Sequence, residues 1–395
     1  MLKAMDSAVA GLRAHQNKLD VIGNNIANVN TNGYKAQNYT FKDSLYTTAA
    51  SSSGGQATNG SATVGGINAS QYGYGSMTGV ISTDMSSSTP SYVGGFNASI
   101  NGAGFFVTKS TNIQLNFASP KEDGSNVASV AAENSSLMKN SQFSFTRVGQ
   151  FSIDANGYIV DANQNFVYGY QPAKTGQVTG TTTTTTKGAD GKATTTTKTT
   201  TAVQDADITN PEAYDMGHLT PLRAPHSVTF DADNVNSTAL RTWSFGQYGK
   251  PNQGYSDPLT TKDDGTAEDN TALQMKSISI DDSGIVKGIL QNDQGNPVTI
   301  VLGKVAIATF QNPEGLTKAG NNTFQTSNVD NSGTVTTDAP GGATSTLMAG
   351  YLEGSNVDLA KEFSDMITTE RGFQANSKLI TVSDEVLQEL VNMKR

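Results

Sequence analysis

The sequence predicts a mainly β protein, with middle and outer β domains, whose two ends are long amphipathic helices paired into a split inner domain. Three observations predict it. Leu2, Met5, Val9, Leu12, Leu19, Ile22, Ile26 and Val29 recur in steps of three, four and seven, which places them on one helix face with Gln16 as the weak point. Phe363, Met366, Phe373, Ile380, Leu387 and Val391 do the same near the other end, beside a second stripe of Leu379, Val382, Val386, Leu390 and Met393. Between the two, short apolar runs alternate with polar residues and are punctuated by turn formers, as strands require.

The chain has 395 residues, enough for several domains. Only 35% are hydrophobic and 15% charged, and 40 are Gly, which favours an extended, modular molecule with polar surfaces over one large globule. The net charge of −9, without a basic run, argues against nucleic-acid or anionic-membrane binding. The chain lacks Cys, which removes disulfides, thiolate metal sites and cysteine nucleophiles. Asp6, Arg13 and Lys18 break every apolar run at the start, so no secretory signal is expected. No stretch approaches the ~20 apolar residues of a membrane span.

The first helix, about 36 Å long, should stop in the run Gly23 to Lys35. There Asn side chains compete for backbone hydrogen bonds, and Asn and Gly tolerate the left-handed conformation. Nothing nearby in sequence offers it a packing partner. Gln37 to Phe41 alternates like a strand, whereas the Ser/Gly/Ala/Thr stretch from Thr47 to Gly66 reads as a loop or irregular extended segment. Gly79 to Ser82 resumes β structure. Asn97 to Thr108 reads as strand, glycine turn and strand around Asn101-Gly102, and residues 109–140 as a surface insertion. Phe151 and Ile153 turn through Asn156-Gly157 into Tyr158-Ile159-Val160 as a hairpin.

The threonine tract from Thr175 to Thr201 has Asp190-Gly191 at its midpoint. A long exposed hairpin is expected there; a disordered or glycosylated tract is the alternative. Residues 205–275, with Phe230, Trp243, Phe245 and Tyr248 among turn formers, suit a small β domain. Ser277 to Val286 and Gly295 to Phe310 supply further strands. The last helix begins after Ser355 or Asn356 as cap, with Asp358 and Glu362 near its positive end, and runs to about Met393. Two paired helices bury one side of each, so the wide apolar face of the last one implies self-association into a multi-helix layer.

No catalytic or cofactor constellation stands out, and no cofactor or metal is expected. His15 reads as an interface residue, and His218 and His226 as loop histidines. Asp154 to Gly157 and Asp281 to Gly284 are turns, because their Gly arrives too early for a calcium loop.

GNNIANVNTNGYK from Gly23 to Lys35 resembles the N-terminal motif of the bacterial flagellar rod and hook family, on Asn24, Asn25, Asn28 and Gly33. The closing stretch resembles that family's last helix, on Ser355-Asn356-Val357-Asp358, Arg371-Gly372-Phe373-Gln374 and Asn376-Ser377. NGAGFFV, FTRVGQFSIDANGYIVDANQ and VAIATFQNPEGLTKAGNNTF resemble its middle β domain. The resemblance implies a helical inner domain from 1–30 and 356–393 and a linker with short β elements at 31–72. It further implies a discontinuous middle β domain at 73–172 and 276–355, and an outer β domain with the threonine tract at 173–275. It implies a self-polymerising structural subunit of the flagellum, with the hook favoured by the insertion at 173–275 and the typically shorter distal rod as the alternative. Implied partners are the distal rod protein, the hook cap, the hook–filament junction protein and the type III export apparatus, with export from the cell and no cleaved signal. Phe41 and Leu45 resemble an export-gate element, against a plain strand with Phe41 in a small core.

Overall fold

The computed structural model describes residues 2–58, 61–111, 115–116, 138–154, 157–172, 177–187, 193–203, 214, 218–224, 227–231, 242–243, 270–291, 297–327, 329–341 and 345–393. The Asp190-Gly191 turn, Asn156, Gly295-Asn296, His226, Phe245, Tyr248 and most of the 109–140 insertion lie outside them. The chain divides into two compact units, Met1–Ser88 with Gly354–Arg395, and Thr89–Glu353.

The first unit holds helix α1 (Leu2–Ala27) and helix α2 (Leu359–Met393). Between Gln37 and Thr83 lies a β-ribbon of three nested antiparallel pairs. These are β1 (Gln37–Asp43) with β6 (Ser76–Thr83), β2 (Tyr46–Ala50) with β5 (Ser70–Gly73), and β3 (Gln56–Thr58) with β4 (Ser61–Val64). The Ser/Gly/Ala/Thr stretch expected to be irregular is therefore paired. Its composition indeed buries nothing in strands β2 and β5, but a backbone ladder anchored at its base needs no core of its own. α1 also has a neighbour close in sequence. Its Asn17 amide donates to Thr78 Oγ1 at 3.2 Å, and a Cβ on Gly75 would stand 2.8 Å from the Ser7 carbonyl oxygen.

The asparagines that end α1 work through side-chain hydrogen bonds, not left-handed backbone. Asn28 Nδ2 donates to the Asn24 carbonyl (2.9 Å) and to Asn24 Oδ1 (2.8 Å). Within the motif only Gly33 takes a positive φ, at 68°. At the start of α2 the cap is Asp358, whose Oδ1 accepts from the N–H groups of Ala360 and Lys361. Asn356 is engaged elsewhere.

In the second unit, strand Phe105–Lys109 is central. It pairs with Ser144–Thr146, Phe166–Tyr170 and Ile307–Phe310. Beyond Phe166–Tyr170 the sheet continues through Pro297–Val305, Ile285–Gln291, Asn270–Ile280 and Ser227–Asp231 to Thr242–Trp243. Ala98, Ile100, Phe106, Phe151, Val167, Leu222, Val286, Ile300, Val305 and Ile307 are among the residues of one buried core. Phe105, Phe145, Phe310 and Phe324 form an aromatic group with centroids 4.8 to 5.7 Å apart. Phe151–Ile153 and Ile159–Asp161 form the expected hairpin. Ala98–Gly102 pairs instead with Ser345–Ala349, so the glycine turn at Gly102 passes the chain from one sheet to another. A Cβ on Gly104, at φ 127°, would meet Ile307 Cγ2 at 2.3 Å. In each acidic turn one aspartate oxygen closes the turn on its own backbone: Asp281 Oδ1 accepts from the N–H groups of Ser283 and Ile285, and Asp154 Oδ1 from Tyr158. Gln177–Lys187 and Ala193–Val203 pair antiparallel over eleven positions, as the hairpin reading of the threonine tract expected.

Candidate assembly site at the helix pair

α1 and α2 run antiparallel in one register. A Cβ on Gly11 would stand 3.0 Å from Asn376 Nδ2, and one on Gly372 would stand 2.6 Å from His15 Cε1. Asn25 Nδ2 donates to Glu362 Oε1 at 3.1 Å. In each pair the two residue numbers add to 387, so Leu2 stands opposite residue 385 and the end of α2 continues past the start of α1.

Small residues make this close approach possible, since Ala8, Gly11 and Ala14 are buried along α1. The bulky stripe beside them is unevenly buried. Ile22 is buried, but Met5, Leu12, Leu19 and Ile26 are half-buried and Val9 is exposed; the side chain of Leu2 lies outside the described residues. On α2, Glu362 and Thr369 are the buried residues. Met366, Phe373, Ile380 and Leu387 are half-buried, while Phe363, Ile367, Leu379, Val382, Leu390, Val391 and Met393 are exposed, Val391 at 66%. The largest exposed apolar side chains of the pair therefore lie on α2.

At the motif end the pair is clasped by polar groups. Asn25 Oδ1 accepts from Tyr34 OH (3.1 Å) and Gln37 N–H (3.0 Å), and its Nδ2 donates to the Gln37 carbonyl (2.9 Å) as well as to Glu362. All four hydrogen-bonding sites of this buried amide are used. Asn356 Oδ1 accepts from Ala36 N–H at 2.7 Å, and its Nδ2 donates to the Asp84 carbonyl at 2.9 Å. The buried Lys35 ammonium donates to the Ser86 carbonyl at 2.5 Å. The motif residues thus tie the end of α1, the base of the ribbon and the approach to α2. Asn25→Ala should strip Glu362 and Gln37 of partners at once and cost about 3 kcal/mol. Urea unfolding of the unassembled chain, followed by helix circular dichroism, measures it.

Burial raises the Glu362 carboxyl above its ordinary value of 4.5, with Asp365 adding to the shift and the Asn25 hydrogen bond opposing it. Burial also lowers His15 from 6.5, aided by Lys18. The signs are opposite. A raised carboxyl binds protons better in the folded state, so its effect on stability is favourable at low pH and fades as pH rises above 4.5. The lowered His15 makes the pair less stable as pH falls below 6.5. Glu362→Gln should keep an acceptor for Asn25 without a charge to desolvate. Its helix pair should melt at the same temperature or higher at pH 7, and thermal scans across pH 4.5 to 7 should lose the acid-side part of the slope.

The Phe41 ring packs 5.1 Å from His15 and 5.1 Å from Tyr39, with Lys18 Nζ above it at 5.7 Å, whereas Leu45 is 80% exposed. Sequence reasoning missed Glu362, Tyr34, Asp84 and Gln37 as clasp members. The only sequence signal was their closeness to quoted motifs, because an acidic residue in a first helical turn reads as a solvated dipole partner. Among the described residues, no helix is long and apolar enough to cross a membrane.

Taken together, these features define a class: a mainly β chain whose first and last helices form one pair and leave large apolar side chains of α2 exposed. Residues 348–393 match the family model described as flagellar basal body rod FlgEFG protein C-terminal, and residues 5–35 match the model described as flagella basal body rod protein. The flagellar basal-body rod protein FlgG of Bacillus subtilis is 31% identical over 399 residues, covering all of both chains. The flagellar hook proteins FlgE of Borreliella burgdorferi and Treponema pallidum are each 28% identical, again over the full length of both chains. The chain belongs to the flagellar rod and hook axial protein family, a family of structural components of the flagellum. Relatives named as rod and as hook proteins both align over their full length, so the comparisons do not separate the two.

Proposed function

We propose that this chain polymerises into the flagellar hook, the flexible tubular joint that passes torque from rod to filament. The reading rests on the insertion that the sequence resemblance places at 173–275, and full-length relatives named as hook proteins support it. The apolar face of α2, with the half-buried stripe of α1, forms the inner tube through contacts between copies, and apolar packing suits that task because it fixes register. The polar, Thr- and Ser-rich outer surfaces slide past neighbours as the tube bends, since wet contacts exchange at little cost. The work is mechanical, with no catalytic step. The subunit leaves the cell through the type III export apparatus without a cleaved signal, with Phe41 and Leu45 as export element, and acts outside the cell. It meets the distal rod protein, the hook cap protein and the hook–filament junction protein at its ends.

The end-to-end match to a protein named as a rod component favours a second reading, a distal rod segment. Electron microscopy of basal bodies from a deletion strain separates the two. Rods that end without hooks support the hook reading, and truncated rods overturn it.

A further inference from the structure

The geometry points to an edge-to-edge β contact between copies of this chain, made by the threonine ribbon of Gln177–Lys187 and Ala193–Val203. Among the described residues these two strands pair only with each other. Among those residues each presents an outer edge on which about half of its positions aim N–H and C=O away from the partner strand. An isolated two-stranded hairpin is marginal in water, and pairing a further strand on its edge is one way to stabilise it.

The usual devices that blunt such an edge are sparse. Neither strand contains Pro or an acidic residue, and each has one Lys, Lys187 at the end of its strand and Lys198 within the other. Threonine, the dominant residue, is β-branched and favours strand conformation. The occupant is a second copy, for two reasons. The chain belongs to a family of axial proteins, and the proposal rests on the reading that copies polymerise side by side. The ribbon's own topology then fits: translating an antiparallel pair sideways sets the Ala193–Val203 strand of one copy against the Gln177–Lys187 strand of the next, again antiparallel. Such a heterologous contact repeats without closing, as an open polymer requires. If the intermolecular ladder keeps the intrachain register, Lys198 falls opposite Thr182 and Lys187 opposite Ala193, so no like charges oppose one another.

The chain's lack of Cys gives a clean test. Thr184 and Thr196 are partners in the ladder. Two full-length variants, Thr184→Cys and Thr196→Cys, are prepared separately, assembled singly or as an equal mixture, and oxidised. Across a shared ladder the two positions fall within the Cα range of a disulfide, whereas like positions of adjacent copies lie two strands, about 9.6 Å, apart. Expected is a disulfide-linked dimer in the mixed polymer, at least fivefold more abundant than in either single polymer. Normal tubes with no excess in the mixture overturn the edge contact while leaving the polymerisation reading intact. Failure of the unsubstituted chain to form tubes overturns both. The Thr183→Cys and Thr197→Cys pair, one position along the same register, repeats the test if the first variants do not assemble.

Discussion

Arg147→Met should destabilise the β unit by about 4 kcal/mol, read as a lower urea midpoint for loss of tyrosine near-ultraviolet circular dichroism. Arg147 is 3% exposed and meets Glu353, 1% exposed, through two hydrogen bonds, Nε to Oε2 at 2.7 Å and a terminal nitrogen to Oε1 at 3.2 Å. The same guanidinium donates to the carbonyls of Gly102 (3.0 Å) and Gly104 (2.7 Å), and lies 5.9 Å from the centre of the Phe105 ring. Removing it leaves a buried carboxylate and several carbonyls without this donor. The double variant Arg147→Met with Glu353→Leu should recover part of the loss, because the charge goes but the glycine carbonyls still lack a donor. Equal midpoints for the Arg147 variant and the unsubstituted chain would show that the pair contributes nothing net.

The pair also shows what the sequence conceals. Periodicity exposed both helices, the Phe151–Ile159 hairpin and the threonine ribbon, because each depends on residues near one another in the chain. Arg147 and Glu353 are 206 positions apart, and nothing local marks either as buried. The clasp was half legible for the same reason. Asn25 and Asn356 stood out as motif residues, but their partners Glu362, Tyr34 and Asp84 are ordinary polar residues until the fold brings them together. The close approach at Gly11 escaped notice for a different reason. Large apolar residues dominate any periodicity count, whereas Ala8, Gly11 and Ala14 barely register, yet backbone approach follows the small residues. A helix with one bulky stripe and one small-residue stripe offers two faces, and Gly11 on the small one meets α2 within the chain.

That division makes the largest expected effect specific to assembly. Val391→Asp and Leu387→Asp should abolish tube formation while the unassembled chain keeps its helix signal and its β unit stays folded. Both positions lie past the residue opposite Leu2 in the helix register, and Val391 is already 66% exposed, so a charge there costs the monomer little. In a polymer the same position recurs in every subunit. Loss of about 2 kcal/mol of apolar burial, plus several for desolvating an unpaired carboxylate, is repeated at each contact and leaves no stable nucleus. Gly372→Val is the contrasting variant. It drives a side chain into His15 and should open the intrachain pair itself, lowering helix content before assembly begins. Sedimentation with electron microscopy reads assembly, and circular dichroism reads the monomer. Normal tubes from Val391→Asp would show that this face of α2 is not between copies, and a lost monomer helix signal would show that it serves the fold instead.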